Sequence, residues 1–275
     1  MSINLKDTLV IGISSRALFN LEEENDIFNK FGVEEYQKYQ IENENIPLEK
    51  GTAYHLIESL LKINTANKKL IEVVVMSRNS PDTGLRVLNS ISHYKLPITR
   101  SAFTSGESLA DYIESFNVDL FLSKKESDIQ EIIDSNKCAA ALIYSHPKDY
   151  KPDEQSVRIA FDADAVIFSD ESEQIYKKDG LEKFQENELE NENIPLKEGP
   201  FAKFIQMLSK VQSELENKKL IRIAIVTARD YPANIRVIKT LRSWGVNVDE
   251  AFFLGGLAKD KVLKAFNAHI FFDDQ

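Results

Sequence analysis

An eight-residue string occurs twice in this sequence. IENENIPL at 41–48 returns as LENENIPL at 189–196, and in both places a glycine follows three positions later, Gly51 and Gly199. Around that anchor, residues 9–64 align without a gap onto residues 157–212 at an offset of 148, with about a third of the positions identical. After a slip of two residues the correspondence resumes, so that Lys68-Lys69-Leu70-Ile71 meets Lys218-Lys219-Leu220-Ile221 and Phe116-Asn117 meets Phe266-Asn267. Two copies of domain size are not a solenoid, which stacks many short repeats. The 275 residues therefore read as two homologous halves, 1–144 and 157–275, joined by a polar connector with two prolines at 145–156.

Each half carries the same alternation. In the second, the apolar run VRIAF (157–161) is followed by a long amphipathic stretch and then LIRIAIV (220–226). A helical pattern at 235–244 ends before Gly245, and short apolar runs at 246–254 and 269–272 flank a helix predicted over 259–266. The first half matches with runs at 9–13, 71–76 and 119–122 and a helix at 87–94. Short continuous apolar runs alternating with helices predict an α/β fold with parallel, Rossmann-like sheets covered on both faces. Ligands of such sheets sit beyond the carboxyl ends of the strands.

Composition excludes several classes. With 34 basic against 44 acidic side chains the net charge is −10, and no Lys/Arg cluster offers the basic patch that nucleic acid requires. No apolar run approaches the roughly 20 residues that span a bilayer, so no membrane association is expected. The opening MSINLKDTLVIGISS lacks a signal-peptide layout. Cys138 is the sole cysteine, which precludes an internal disulfide or a cysteine metal cage and fits a cytoplasmic setting. Within CAAALIY it reads as a small buried side chain.

Acidic residues cluster where the strand rule points. Asp162 and Asp164 follow VRIAF, Thr227 follows LIRIAIV, Asp273-Asp274 follow HIFF, and Lys259 stands near the start of the intervening helix. Four carboxylates delivered to one place repel one another unless a cation neutralises them, and hard oxygen ligands favour Mg²⁺. Thr227, Lys259 and backbone N–H groups would offset the charge of a bound phosphate.

The ordered set Asp162-x-Asp164-x-Val166, Thr227, Lys259, Asp273-Asp274 resembles the four motifs of the haloacid dehalogenase-like (HAD-like) phosphohydrolases. FDADAVIFSDESE (161–173), TLRSWG (240–245) and HIFFDDQ (269–275), with SSRALF (14–19), GVEEYQKYQ (32–40) and NSISHYKLPI (89–98) in the first half, resemble the cytosolic 5′-nucleotidases of type I over nearly the whole chain. The resemblance implies Mg²⁺-dependent hydrolysis of nucleoside 5′-monophosphates. By it, Asp162 is the nucleophile, Asp164 the general acid and base, and Thr227 and Lys259 the phosphoryl grip. Mg²⁺ is then held by the Asp162 carboxylate, the Asp164 carbonyl and Asp274, with Asp273 as a further ligand or just outside the ligand set. The motifs say little about the leaving group, so another small phosphoester, or a nucleotide-binding regulator with weak turnover, stays open. A nucleotide effector and a homo-oligomer are compatible with the sequence. Relatives usually carry glycine at position 163 and continue beyond Gln275, which predicts a tolerated Ala163 and a pocket less enclosed or completed by another subunit.

The first half lacks the acids. Ser14 and Arg16 stand at the positions of Asp162 and Asp164, and Ser77, Leu109 and Ser123-Lys124 at those of Thr227, Lys259 and Asp273-Asp274. It is expected to be a non-catalytic scaffold, or to bind a phosphate-bearing effector through Arg16, Arg78 or nearby serines. The insert at about 169–212 is expected to form a helical cap. Phe184, Phe201 and Phe204 within it are candidates to stack on a base, but aromatics at helical spacing are more often core, and base recognition is not assigned to them.

Overall fold

The run Leu9–Ile13 forms strand β1 and is buried along its whole length, as a central strand of a two-faced sheet must be. This computed structural model describes residues 5–144, 151, 153 and 155–274, which divide into two compact units, 1–150 and 151–275. Most of the connector expected at 145–156, and Gln275, lie outside the described residues.

In the first unit, helix α1 (Ser15–Leu18) follows β1, with the Ser14 hydroxyl capping it by accepting from Ala17 N. The short strands β2 (Phe19–Asn20) and β3 (Glu49–Lys50) pair antiparallel and bracket a helical hairpin, α2 (Glu22–Phe31) and α3 (Val33–Glu42), broken at Gly32 with φ 84°. Helix α4 (Tyr54–Leu61) leads to strand β4 (Ile71–Ser77), and helix α5 (Pro81–His93) leads to β5 (Arg100–Phe103). Strand β6 (Leu120–Ser123), helix α6 (Glu126–Ser135) and strand β7 (Ala139–Leu142) complete the unit. The parallel sheet runs β5-β4-β1-β6-β7. Strand β7 is the CAAALIY segment, so Cys138 stands at its start, partly buried against the Phe121 layer.

The second unit opens with β8 (Val157–Phe161) and a tight turn over Ala163–Ile167. Helix α7 (Glu171–Glu190), broken at Gly180 with φ 85°, and helix α8 (Ala202–Ser213) precede β9 (Ile221–Thr227). Helix α9 (Ala233–Ser243), strand β10 (Glu250–Phe253), helix α10 (Asp260–Phe266) and strand β11 (Ile270–Phe272) follow. The sheet is again parallel, in the order β10-β9-β8-β11, with Phe161 in register with Ile225 on one side and Phe272 on the other.

The 169–212 stretch contributes two different things. Helix α8 is bolted to the sheet layer: Phe204 packs on Phe161 and Phe272, Ser209 Oγ accepts from Asn247 N, and Gln212 Nε2 donates to Ile221 O. It is the crossover helix between β8 and β9, so the inserted part shortens to the α7 hairpin. Gly199 fixes the junction, because a Cβ there would lie 2.6 Å from Phe168 C and 2.7 Å from Val166 O. Its N–H donates to Ile167 O at 2.8 Å, docking this loop against the turn that follows β8. Among the described residues no helix is long and apolar enough to cross a membrane.

Candidate active site

The carboxyl ends of β8 and β11 carry the acids, and that of β9 carries Thr227. Asp162 N donates to Phe272 O at 2.8 Å, which ties the first residue after β8 to the end of β11 and brings Asp273 and Asp274 alongside. Oxygens of the Asp162, Asp273 and Asp274 carboxylates all lie within 4.8 Å of one another. Asp162 is buried; its Oδ1 accepts from Ala163 N at 2.7 Å and its Oδ2 is paired with the Lys259 ammonium. Lys259 also lies 3.8 Å from Asp273. It is the residue immediately before α10 rather than part of it.

Three carboxylates around one ammonium leave an excess of negative charge. Burial pushes the Asp162 carboxyl up to about 6 even though Lys259 opposes it by hydrogen bond and charge, and Asp273 adds to the rise. Burial likewise raises Asp274, with Asp273 again contributing. A divalent cation held among these oxygens would relieve their repulsion, and an all-oxygen donor set suits Mg²⁺. The residues thus fit the cation that the sequence led us to expect.

Thr227 ends β9 next to β8; it is buried, and its Oγ1 accepts from Arg229 N at 3.2 Å. Ala163 is buried and keeps helical backbone angles, the positive φ of the turn falling on Ala165 at 58°, so a methyl group at position 163 is unstrained. Asp164 departs from the expected cluster. Its carboxylate is gripped by Arg229, Nε to Oδ2 at 2.8 Å and Nη2 to Oδ1 at 2.6 Å, and it takes no part in the Asp162–Asp273–Asp274 group. Only its main-chain carbonyl remains as the ligand the sequence reading assigned to it.

Sequence reasoning passed over Arg229 and its second partner. Arg229 is buried and sends Nη1 to Glu188 Oε2 at 2.5 Å, while Glu188 Oε1 accepts from Arg236 Nη1 at 3.0 Å and Ser172 Oγ at 2.8 Å. Burial lowers the Arg229 guanidinium, and the two carboxylates outweigh it, so the net displacement is upward. The available signal was a comparison of the two halves, since Glu188 and Arg229 stand where Gln40 and Asn79 stand in the first.

Phe184, Phe201 and Phe204 are core, the role that their helical spacing favours. Phe201 and Phe204 pack on Phe272 with ring centroids 4.7 and 5.8 Å away. Phe184 is buried beneath Arg229, whose guanidinium carbon lies 5.3 Å from its centroid. In the first unit the corresponding strand ends are internally neutralised: Arg78 pairs with Asp128 and Glu131, and Lys124 and Arg16 both pair with Glu22.

A family profile described as 5′-nucleotidase matches residues 1–275. The chain is 36% identical over 282 aligned positions to the human protein named cytosolic 5′-nucleotidase 1B, an alignment covering 98% of this chain and 46% of that protein. The chain thus spans about half the length of the relative it matches. With motif residues gathered at the strand ends and a profile match along its whole length, the chain belongs to the 5′-nucleotidase family.

Proposed function

We propose that this chain hydrolyses nucleoside 5′-monophosphates to nucleoside and phosphate with Mg²⁺, through an aspartyl-phosphate on Asp162. The observation that carries the reading is the convergence of Asp162, Asp273, Asp274 and Lys259 at the carboxyl ends of β8 and β11. The cation, held by the Asp162, Asp273 and Asp274 carboxylates and the Asp164 carbonyl, supplies neutralising positive charge at the phosphoryl group.

The chain's own residues do the rest. An Asp162 carboxylate oxygen attacks phosphorus and the bond to the 5′ oxygen breaks, so that one difficult displacement becomes two easier ones. Asp164 gives a proton to the departing 5′ oxygen and later takes one from the water that cleaves the acyl phosphate. Lys259 and Thr227 hold the phosphoryl oxygens, Lys259 exchanging its pairing with Asp162 for the substrate's charge.

We further read the two units as copies of one HAD-like plan, residues 1–144 non-catalytic and 157–275 catalytic. That reading is supported by their strand orders, in which β5-β4-β1-β6 and β10-β9-β8-β11 correspond strand for strand. A cytosolic setting agrees with the printed name of the human relative.

Phosphate release from a panel of nucleoside monophosphates and sugar phosphates, with Mg²⁺ or with EDTA, tests the proposal. Asp162→Asn should abolish release that Mg²⁺ supports and EDTA suppresses. Equal turnover by wild type and Asp162→Asn would sink the mechanism, and preference for sugar phosphates would reassign the substrate.

A further inference from the structure

We infer that Arg229 is a positioning residue for Asp164, held in place by Glu188 from α7; the inference rests on the reading of Asp164 as the proton-transfer group. Arg229 reaches both Asp164 oxygens at 2.6 and 2.8 Å with one edge of its guanidinium and Glu188 with another nitrogen. A planar guanidinium bonded in two directions fixes the orientation of the carboxylate it grips, which a single-point contact does not. Each Asp164 oxygen keeps a further lone pair, and the side chain is about a fifth exposed, so the grip leaves Asp164 able to meet a substrate.

The first unit supplies an internal control. There Arg86 Nε donates to Ile46 O at 2.9 Å and its Nη1 to Gln40 Oε1 at 3.1 Å. In the second unit Arg236 Nε donates to Ile194 O at 2.8 Å and its Nη1 to Glu188 Oε1 at 3.0 Å. This clamp on the helical hairpin is therefore common to both units. What differs is the layer between hairpin and strand end. In the first unit Gln40 donates to the Tyr36 hydroxyl and that hydroxyl to Asn79, while the carboxylate paired with the clamp arginine is Glu24, which accepts from Arg86 Nη1 at 2.7 Å. In the second unit the same positions hold Glu188, Phe184 and Arg229. Burying a further guanidinium carries a desolvation penalty that the neutral Asn79 avoids. Both units bury a carboxylate against the clamp arginine, Glu24 in the first and Glu188 in the second, and only the second adds a buried guanidinium, Arg229, beside the acid to be aimed.

The test is a double-mutant cycle in the full chain, read as kcat/KM for a nucleoside monophosphate with Mg²⁺. Arg229→Gln is expected to lower it about 10- to 100-fold, within the range of general acid–base catalysis. In an Asp164→Asn background the same change should cost less than about threefold, because a positioning residue has nothing left to position. Glu188→Gln, nearly isosteric, should follow the same pattern with a smaller loss and decides the matter if Arg229→Gln does not fold. Losses that multiply undiminished in the Asp164→Asn background, or no loss in either single variant, would overturn the inference. Failure of the underlying reading has a separate signature: Asp164→Asn turning over like wild type.

Discussion

Replacing Asp119 by asparagine should stabilise the protein at neutral pH and leave it little changed in acid. Asp119 precedes β6, and its Oδ2 accepts from Val10 N at 2.8 Å. Burial pushes its carboxyl up to about 6 from 3.8, with the Val10 hydrogen bond opposing. Because the folded value lies above the unfolded one, the charged form is disfavoured by folding. The associated stability is complete below about pH 3.8 and is lost as pH rises through about 6. At full burial the displacement corresponds to about 3 kcal/mol, and residual solvent screening reduces it to about 1–2 kcal/mol. Asparagine keeps an acceptor for Val10 N and never ionises. Urea unfolding at pH 8 should therefore give the variant that advantage, shrinking towards zero at pH 4.5. A variant advantage independent of pH, or one that grows as pH falls, would refute the reasoning.

Gly199→Ala drives a methyl into the backbone of Val166 and Phe168. We expect a loss of about 2–4 kcal/mol by chemical denaturation, in the range of overpacked sites, together with reduced turnover because the displaced turn carries Asp162 and Asp164. Cys138, whose thiol burial pushes up to about 12 with help from the Asp119 charge, should resist iodoacetamide at pH 8 in the native state and react fully in denaturant.

Legibility followed physical locality. Strands β1 and β8 form at the bounds read from their apolar runs, Leu9–Ile13 and Val157–Phe161, because strands buried on both faces are continuous hydrophobic text. Strand β10 is shorter than the expected 246–254 run. Val246 N is spent on Leu241 O, closing α9, and Asp249 turns back to take Ile223 N, so the strand spans only Glu250–Phe253. Helical periodicity in 169–212 could not separate α8, which covers the sheet, from the α7 hairpin, since both need an apolar stripe. The acids Asp162, Asp273 and Asp274 were legible because strand order and the carboxyl-end rule place them together. The Asp164–Arg229–Glu188 chain was not, because Asp164 and Arg229 follow neighbouring strands but Glu188 reaches them only through the docking of α7, which no local pattern encodes.

Asp162 and its cation Lys259 are 97 residues apart, and the strand that completes the acid cluster comes later still. At synthesis rates of roughly 5–20 residues per second, β8 waits about 5–20 s for the far side of its own site. Until β9 emerges VRIAF is an unpaired apolar strand, and until β11 follows its other edge stays open to chaperones or to wrong partners. Loop closure over such a span must precede any contact that rewards it, which makes the second unit slow to form. On the proposed metal site, a divalent cation would meet all three acids only after β11 has docked, so metal affinity would report that folding is finished and could not guide it there.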